Sequence, residues 1–165
     1  MSNLSRRQFM ASAAAASAAV TFPSVTRARM AADDVNMGFI ACGGRAGQHM
    51  SMFDNLDGVN IAGLCDPDEN NLGRAQTKYS RATGYADLRK LIDDPGIDAV
   101  VVATCNHWHC LASIWAMAAG KDVYVEKPLS HSQWEGRQTV AAARKYNRIC
   151  QVGTQQRSDP MQAEI

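Results

Sequence analysis

The sequence predicts an α/β protein with a doubly wound parallel sheet. Three observations carry that prediction. Short apolar runs alternate with helix-like stretches along residues 35–152, the pattern of successive βαβ units. A glycine-bearing turn directly follows the first run, at Cys42-Gly43-Gly44-Arg45. An acidic residue, Asp66, closes the second run.

Taken in order, Val35 to Ala41 reads as a buried strand, and the stretch after Arg45 to about Asn55 as a helix. Val59 to Cys65 is the next strand, stopped by Pro67, which cannot donate to a ladder. Asn70 to about Tyr79 is helix-like, and a short helix holds Leu88, Leu91 and Ile92. Ile97-Asp98-Ala99-Val100-Val101-Val102-Ala103 is a β-branched run typical of a strand covered on both faces. His107 to Ala119 reads as helix, with Gly120 as its C′ stop. Asp122 to Val125 is a strand. Ser132-Gln133-Trp134-Glu135 is a capping box, with Ser at the N-cap and Glu at N3, opening a helix to about Tyr146. Ile149 to Val152 is the last strand.

The formal charge of +1 over 165 residues conceals two unlike parts. Residues 1–30 hold Arg6, Arg7, Arg27 and Arg29 and no acid, whereas residues 31–165 carry 13 basic and 16 acidic side chains. The body therefore lacks the clustered cationic excess that nucleic-acid binding needs. Its 46% hydrophobic and 20% charged residues are ordinary for a globular domain. The five cysteines fall mostly in or beside apolar runs, as small buried hydrophobes do, so no disulfide framework is expected.

Ser5-Arg6-Arg7-Gln8-Phe9-Met10 precedes a small-residue apolar stretch from Ala11 to about Phe22. This resembles a twin-arginine (Tat) export signal. The stretch is too short and too rich in Ala and Ser to span a bilayer, which takes about 20 apolar residues. Residues 1–32 are thus expected to be a signal peptide and linker. The Tat translocase is the expected partner during export, and the expected location is periplasmic or otherwise extracytoplasmic. Tat substrates cross the membrane folded, often with a cofactor in place.

The turn Ala41-x-Gly43-x-x-Ala46 departs from G-x-G-x-x-G, although the mechanism partly survives. Gly43 lets backbone approach a pyrophosphate, and Ala46 is small enough for helix–strand packing. Alone, this is as well read as a plain turn. Asp66 lies 23 residues beyond Gly43, near the roughly 20-residue spacing of a ribose-binding acid. Its carboxylate would accept from ribose hydroxyls and repel a 2′-phosphate, favouring NAD over NADP; the alternative is a strand-ending turn.

A second constellation, Thr104-Cys105-Asn106-His107-Trp108-His109, stands at the carboxyl end of a strand, where open α/β sheets bind ligands. Zinc is not expected there, because these neighbours do not converge and no second ligand pair has zinc-like spacing. His107 also fits a half-exposed helix start, and Trp108 is read as packing. The third constellation is Glu126-Lys127-Pro128, again after a strand. A lysine there can hydrogen-bond a substrate hydroxyl and assist proton transfer during hydride exchange. On composition alone it is an exposed, salt-bridged lysine.

Together these stretches resemble the N-terminal half of the Gfo/Idh/MocA oxidoreductases. The most specific is Gly120-Lys121-Asp122-Val123-Tyr124-Val125-Glu126-Lys127-Pro128, followed by Gln151-Val152-Gly153-Thr154-Gln155-Gln156-Arg157. The resemblance implies a Rossmann domain over residues 33–157 that binds NAD(P), and a C-terminal domain holding a sugar or cyclitol. On that likeness residues 158–165 would begin the second domain, the 165 residues would be one half of an oligomeric enzyme, and the isolated half would be inactive. Gly43, Gly44, Arg45 and Ala46 would line the pyrophosphate, and Asp66 the adenine ribose. Thr104, Asn106 and His109 would sit near the nicotinamide, and Glu126 at its junction with substrate. Lys127 would be catalytic, with Gln156 and Arg157 reaching toward substrate. Ala41, in place of the first glycine, is expected to weaken cofactor binding; Cys105, where the family commonly has proline, loosens that turn. Three activities are compatible: an exported sugar or cyclitol dehydrogenase, an NAD-dependent glycosidase of the same superfamily, or an NAD-binding sensor. The export leader argues against the last.

Overall fold

The computed structural model describes residues 34–158 and residue 162. The export-signal reading of residues 1–32 lies outside them, as does most of 158–165. Six strands run β1 Val35–Ile40, β2 Val59–Cys65, β3 Thr83–Tyr85, β4 Ala99–Val102, β5 Asp122–Glu126 and β6 Cys150–Gly153. Five α-helices intervene: α1 Gly44–Phe53, α2 Glu69–Lys78, α3 Leu88–Ile92, α4 His109–Ala118 and α5 Gln133–Tyr146. All strand pairs are parallel, in the order β3-β2-β1-β4-β5-β6. This is the Rossmann order, and its direction reverses between β1 and β4, where a crevice opens at the carboxyl ends of the strands.

The period-2 geometry of β4 divides the core. Val100 and Val102 point to one face, with α3, α4 and α5; Val101 points to the other, with α1 and α2. All three valines are fully buried, each worth about 1.5–3 kcal/mol relative to exposure. Gly38 of β1 and Gly63 of β2 are register partners. A Cβ on Gly38 would stand 2.7 Å from Leu91, and one on Gly63 would stand 3.1 Å from Ile97. These two glycines therefore seat α3 and the segment entering β4 tightly against the sheet.

The helix ends follow their sequence signals. Ser132 and Glu135 form the capping box of α5. At the end of α4, Gly120 has φ 83°; Lys121 N donates to Ala116 O and Gly120 N to Met117 O, a Schellman closure. Lys121 itself is buried, and its Nζ donates to Asp94 O and Ile97 O at 2.7 Å each. The lysine of the Gly-Lys-x-Val block thus ties the approach to β4.

An added strand and a helix start depart most from the sequence reading. β3 is a three-residue edge strand containing Gly84, with no apolar run to announce it; its pairing to β2 creates it. The helix expected from His107 begins instead as a 3₁₀ turn, Asn106–Trp108, and becomes α4 only at His109.

Candidate functional site

A cleft of about 880 Å³ opens at the carboxyl ends of the strands. The β1–α1 turn forms one wall, through Ala41, Gly43, Gly44 and Arg45. No side chain caps α1 at Gly43, and no acid stands in its first turn. Its free backbone N–H groups and dipole therefore suit an anion. Gly44 has φ 42°, and a Cβ there would meet nothing within 4 Å, so the turn is open to an approaching group. Ala46 is fully buried against the sheet and packs rather than lines. Ala41 takes φ 82°, so the residue standing in for glycine carries left-handed strain.

Asp66 also lines the cleft and is 6% exposed. Cys42 N donates to its Oδ2 at 2.8 Å, and Asp68 N to its Oδ1 at 2.9 Å. One carboxylate thus fixes the glycine turn and the start of α2, while each oxygen keeps lone-pair capacity for a further donor. Burial, with this negative group nearby, pushes the Cys42 and Cys65 thiols up to about 12; neither is a ready nucleophile. Beyond Asp66 the wall continues through Asp87, Leu88 and Arg89 after β3. Arg89 is paired to Asp87, with Nη2 to Oδ2 at 2.6 Å. Sequence reasoning missed this segment because it depends on β3.

The opposite wall comes from Thr104, Cys105, His107, Trp108 and Trp115. Thr104 lines the cleft, whereas Asn106 is exposed and outside the cleft lining. His109 is 1% exposed and does not line the cleft. Its Nδ1 stands 2.6 Å from Pro128 O and its Nε2 3.1 Å from Thr104 O. Both ring nitrogens thus face backbone carbonyls, and His109 bridges the loop after β4 and the loop after β5.

Glu126, at the end of β5, is likewise buried and outside the cleft lining. Its Oε1 accepts from His49 Nε2 at 2.6 Å, Gln155 Nε2 at 2.8 Å and Arg45 Nε at 3.0 Å; its Oε2 accepts from Lys127 N at 3.1 Å. Burial alone would raise its carboxyl, but the Arg45 and His49 contacts and the Lys127 N–H outweigh it and hold the group at about 2. Arg45 and His49 are four residues apart, on one face of α1. The hub therefore joins the β1–α1 turn, β5 and the segment after β6. His49 and Gln155 were missed from sequence; the spacing of His49 from Arg45 was the available signal.

Lys127 is exposed beside this hub, and its bond to Pro128 is cis. Gln156 and Arg157 are exposed on the 3₁₀ turn Gln155–Ser158 and do not line the cleft.

A Rossmann sheet with an uncapped glycine turn and a cleft-lining acid after β2 defines a dinucleotide-binding domain. The sequence model for the oxidoreductase family with an NAD-binding Rossmann fold (GFO_IDH_MocA) matches residues 35–154, and the chain belongs to that family. A Tat-pathway signal sequence matches residues 3–23. The chain is 32% identical over 133 residues to inositol 2-dehydrogenase 2 of Saccharopolyspora erythraea, covering 79% of this chain and 39% of that protein. It is 33% identical over 129 residues to a glycosyl hydrolase family 109 protein of Shewanella pealeana, covering 73% and 28% respectively. Among solved structures, myo-inositol 2-dehydrogenase from Lactobacillus plantarum superposes with a TM-score of 0.72 at 27% identity, covering 77% of this chain and 38% of that one. The chain thus spans well under half the length of each.

Proposed function

We propose that this chain is the NAD-binding part of an exported oxidoreductase that moves hydride to or from a hydroxyl-bearing carbon of a sugar or cyclitol. The observation that carries the reading is the meeting of the α1 N-terminus, Asp66 and Thr104 in one cleft at the strand-order reversal, with Lys127 beside the anchored Glu126. Kinship to an inositol dehydrogenase supports the substrate class. The Tat signal supports passage through the Tat translocase to the periplasm or beyond.

In this reading NAD, when bound, supplies the hydride acceptor or donor. Gly43, Gly44 and Arg45 receive the pyrophosphate on backbone N–H groups, and Ala46 holds the turn to the sheet. Asp66 accepts from the adenine-ribose hydroxyls with its remaining lone pairs. Its fixed negative charge disfavours a 2′-phosphate, so NAD is preferred to NADP. Thr104 and Asn106 border the nicotinamide side, and His109 acts there by fixing the Thr104 backbone. Glu126 holds the junction in place. Lys127 would hydrogen-bond the substrate oxygen, its neutral amine taking the hydroxyl proton in oxidation and its ammonium returning that proton in reduction. Gln156 and Arg157 reach toward substrate, and the active enzyme is a homo-oligomer.

The likeness to glycosyl hydrolase family 109 favours a second reading, oxidation, elimination and hydrolysis of a glycoside with NAD regenerated. Incubating the whole enzyme with NAD, cyclitols and aryl glycosides separates the two. Net NADH supports the dehydrogenase; glycoside cleavage without net NADH replaces it with the glycosidase. The 165 residues alone are expected to turn over little, and measurable dehydrogenase activity from them contradicts that.

A further inference from the structure

We propose that Trp108, braced by Trp115, is the stacking platform for the adenine ring; this rests on the reading of the cleft as an NAD site. The sheet order puts β2 and β3 on one side of β1, and β4 and β5 on the other. Asp66, after β2, and Leu88, after β3, therefore lie at the end of the cleft remote from Lys127. The 3₁₀ turn Asn106–Trp108 and α4 lead back to that end, because α3 packs on α4 and Leu88 joins Trp115 against one apolar cluster. Trp108 and Trp115 thus line the same cleft as Asp66.

Packing accounts for Trp115, but not for Trp108. Trp115 is half-buried against the core, whereas Trp108 lies outside both core clusters and is 36% exposed. The two rings meet edge to face, with centroids 6.1 Å apart. The Trp108 ring is thus braced by its neighbour while still presenting surface to the cleft. A planar, uncharged heterocycle beside a ribose-binding carboxylate is the ligand that such a surface takes up, since base–aromatic stacking rewards area without needing hydrogen bonds. Arg89, held by Asp87, adds a planar guanidinium to the same end of the cleft.

The test uses the chain with Trp134→Phe, which removes an indole on α5 that does not line the cleft and leaves Trp108 and Trp115. NAD and ADP are expected to quench the remaining emission, and nicotinamide mononucleotide to leave it unchanged. Trp108→Ala should weaken NAD binding by about tenfold in calorimetry, while Trp108→Phe retains most of the affinity. Both variants should keep the far-ultraviolet circular dichroism of the parent. If NAD binds in calorimetry but emission is unchanged and Trp108→Ala keeps full affinity, the platform is wrong and the NAD reading stands. Absence of NAD binding to the parent chain overturns both.

Discussion

Asp66 and Glu126 are both buried carboxylates at the carboxyl ends of parallel strands, yet they are built differently. Asp66 is held by two backbone N–H groups, those of Cys42 and Asp68, and still lines the cleft. Glu126 is held mainly by side chains, from Arg45, His49 and Gln155, and is sealed beneath the surface. Backbone donors leave the Asp66 oxygens with capacity to spare, whereas three side-chain donors on one oxygen make Glu126 a fixed joint. The first keeps acceptor capacity at the cleft, and the second holds together the loops around it.

Removing each acid should expose the difference. Glu126→Ala strands Arg45, His49 and Gln155 around a cavity, and is expected to cost about 3–5 kcal/mol in chemical unfolding, the range for breaking a buried charged pair. A loss below about 1 kcal/mol would mean that the hub is not a joint. Titration of Glu126 gives the next effect. Its folded carboxyl lies at about 2, against 4.5 for the unperturbed group. Its stabilisation is therefore fully present above about pH 4.5 and lost as pH falls toward 2, a contribution on the order of 3 kcal/mol. Acid unfolding of Glu126→Gln should lack that component, and a curve parallel to the parent's over this window would refute the assignment. Ala41→Gly is the smallest change. It releases left-handed strain at φ 82° and should stabilise the domain by about 1 kcal/mol, read as a raised midpoint in urea; a lowered midpoint would show that the alanine methyl packs more than it strains.

Much of this frame is legible in the sequence because local signals agree with the global fold. The valine run of β4, the Ser132–Glu135 box and Gly120 each specify their element without help from distant residues. β3 is not legible, since three residues with a central glycine become a strand only by pairing to β2. The same limit applies to the site. Gly43, Gly44, Arg45, Asp66 and Thr104 sit at turn positions whose spacing fixes their place, and all line the cleft. The partners of Glu126 do not announce themselves: His49 is 77 residues away along the chain and Gln155 is 29. His109 stands in a chemically suggestive stretch, but its burial turns the ring toward two carbonyls. Trp108 reads as packing in the sequence, and only the fold shows it at the cleft.

The central claim is that the cleft between the α1 N-terminus and Asp66 binds NAD. Calorimetric titration of NAD into the chain and into Asp66→Ala tests it directly. The account predicts binding to the parent and a marked loss of affinity in the variant, larger than any loss of thermal stability explains. Equal NAD affinity in both proteins would contradict it.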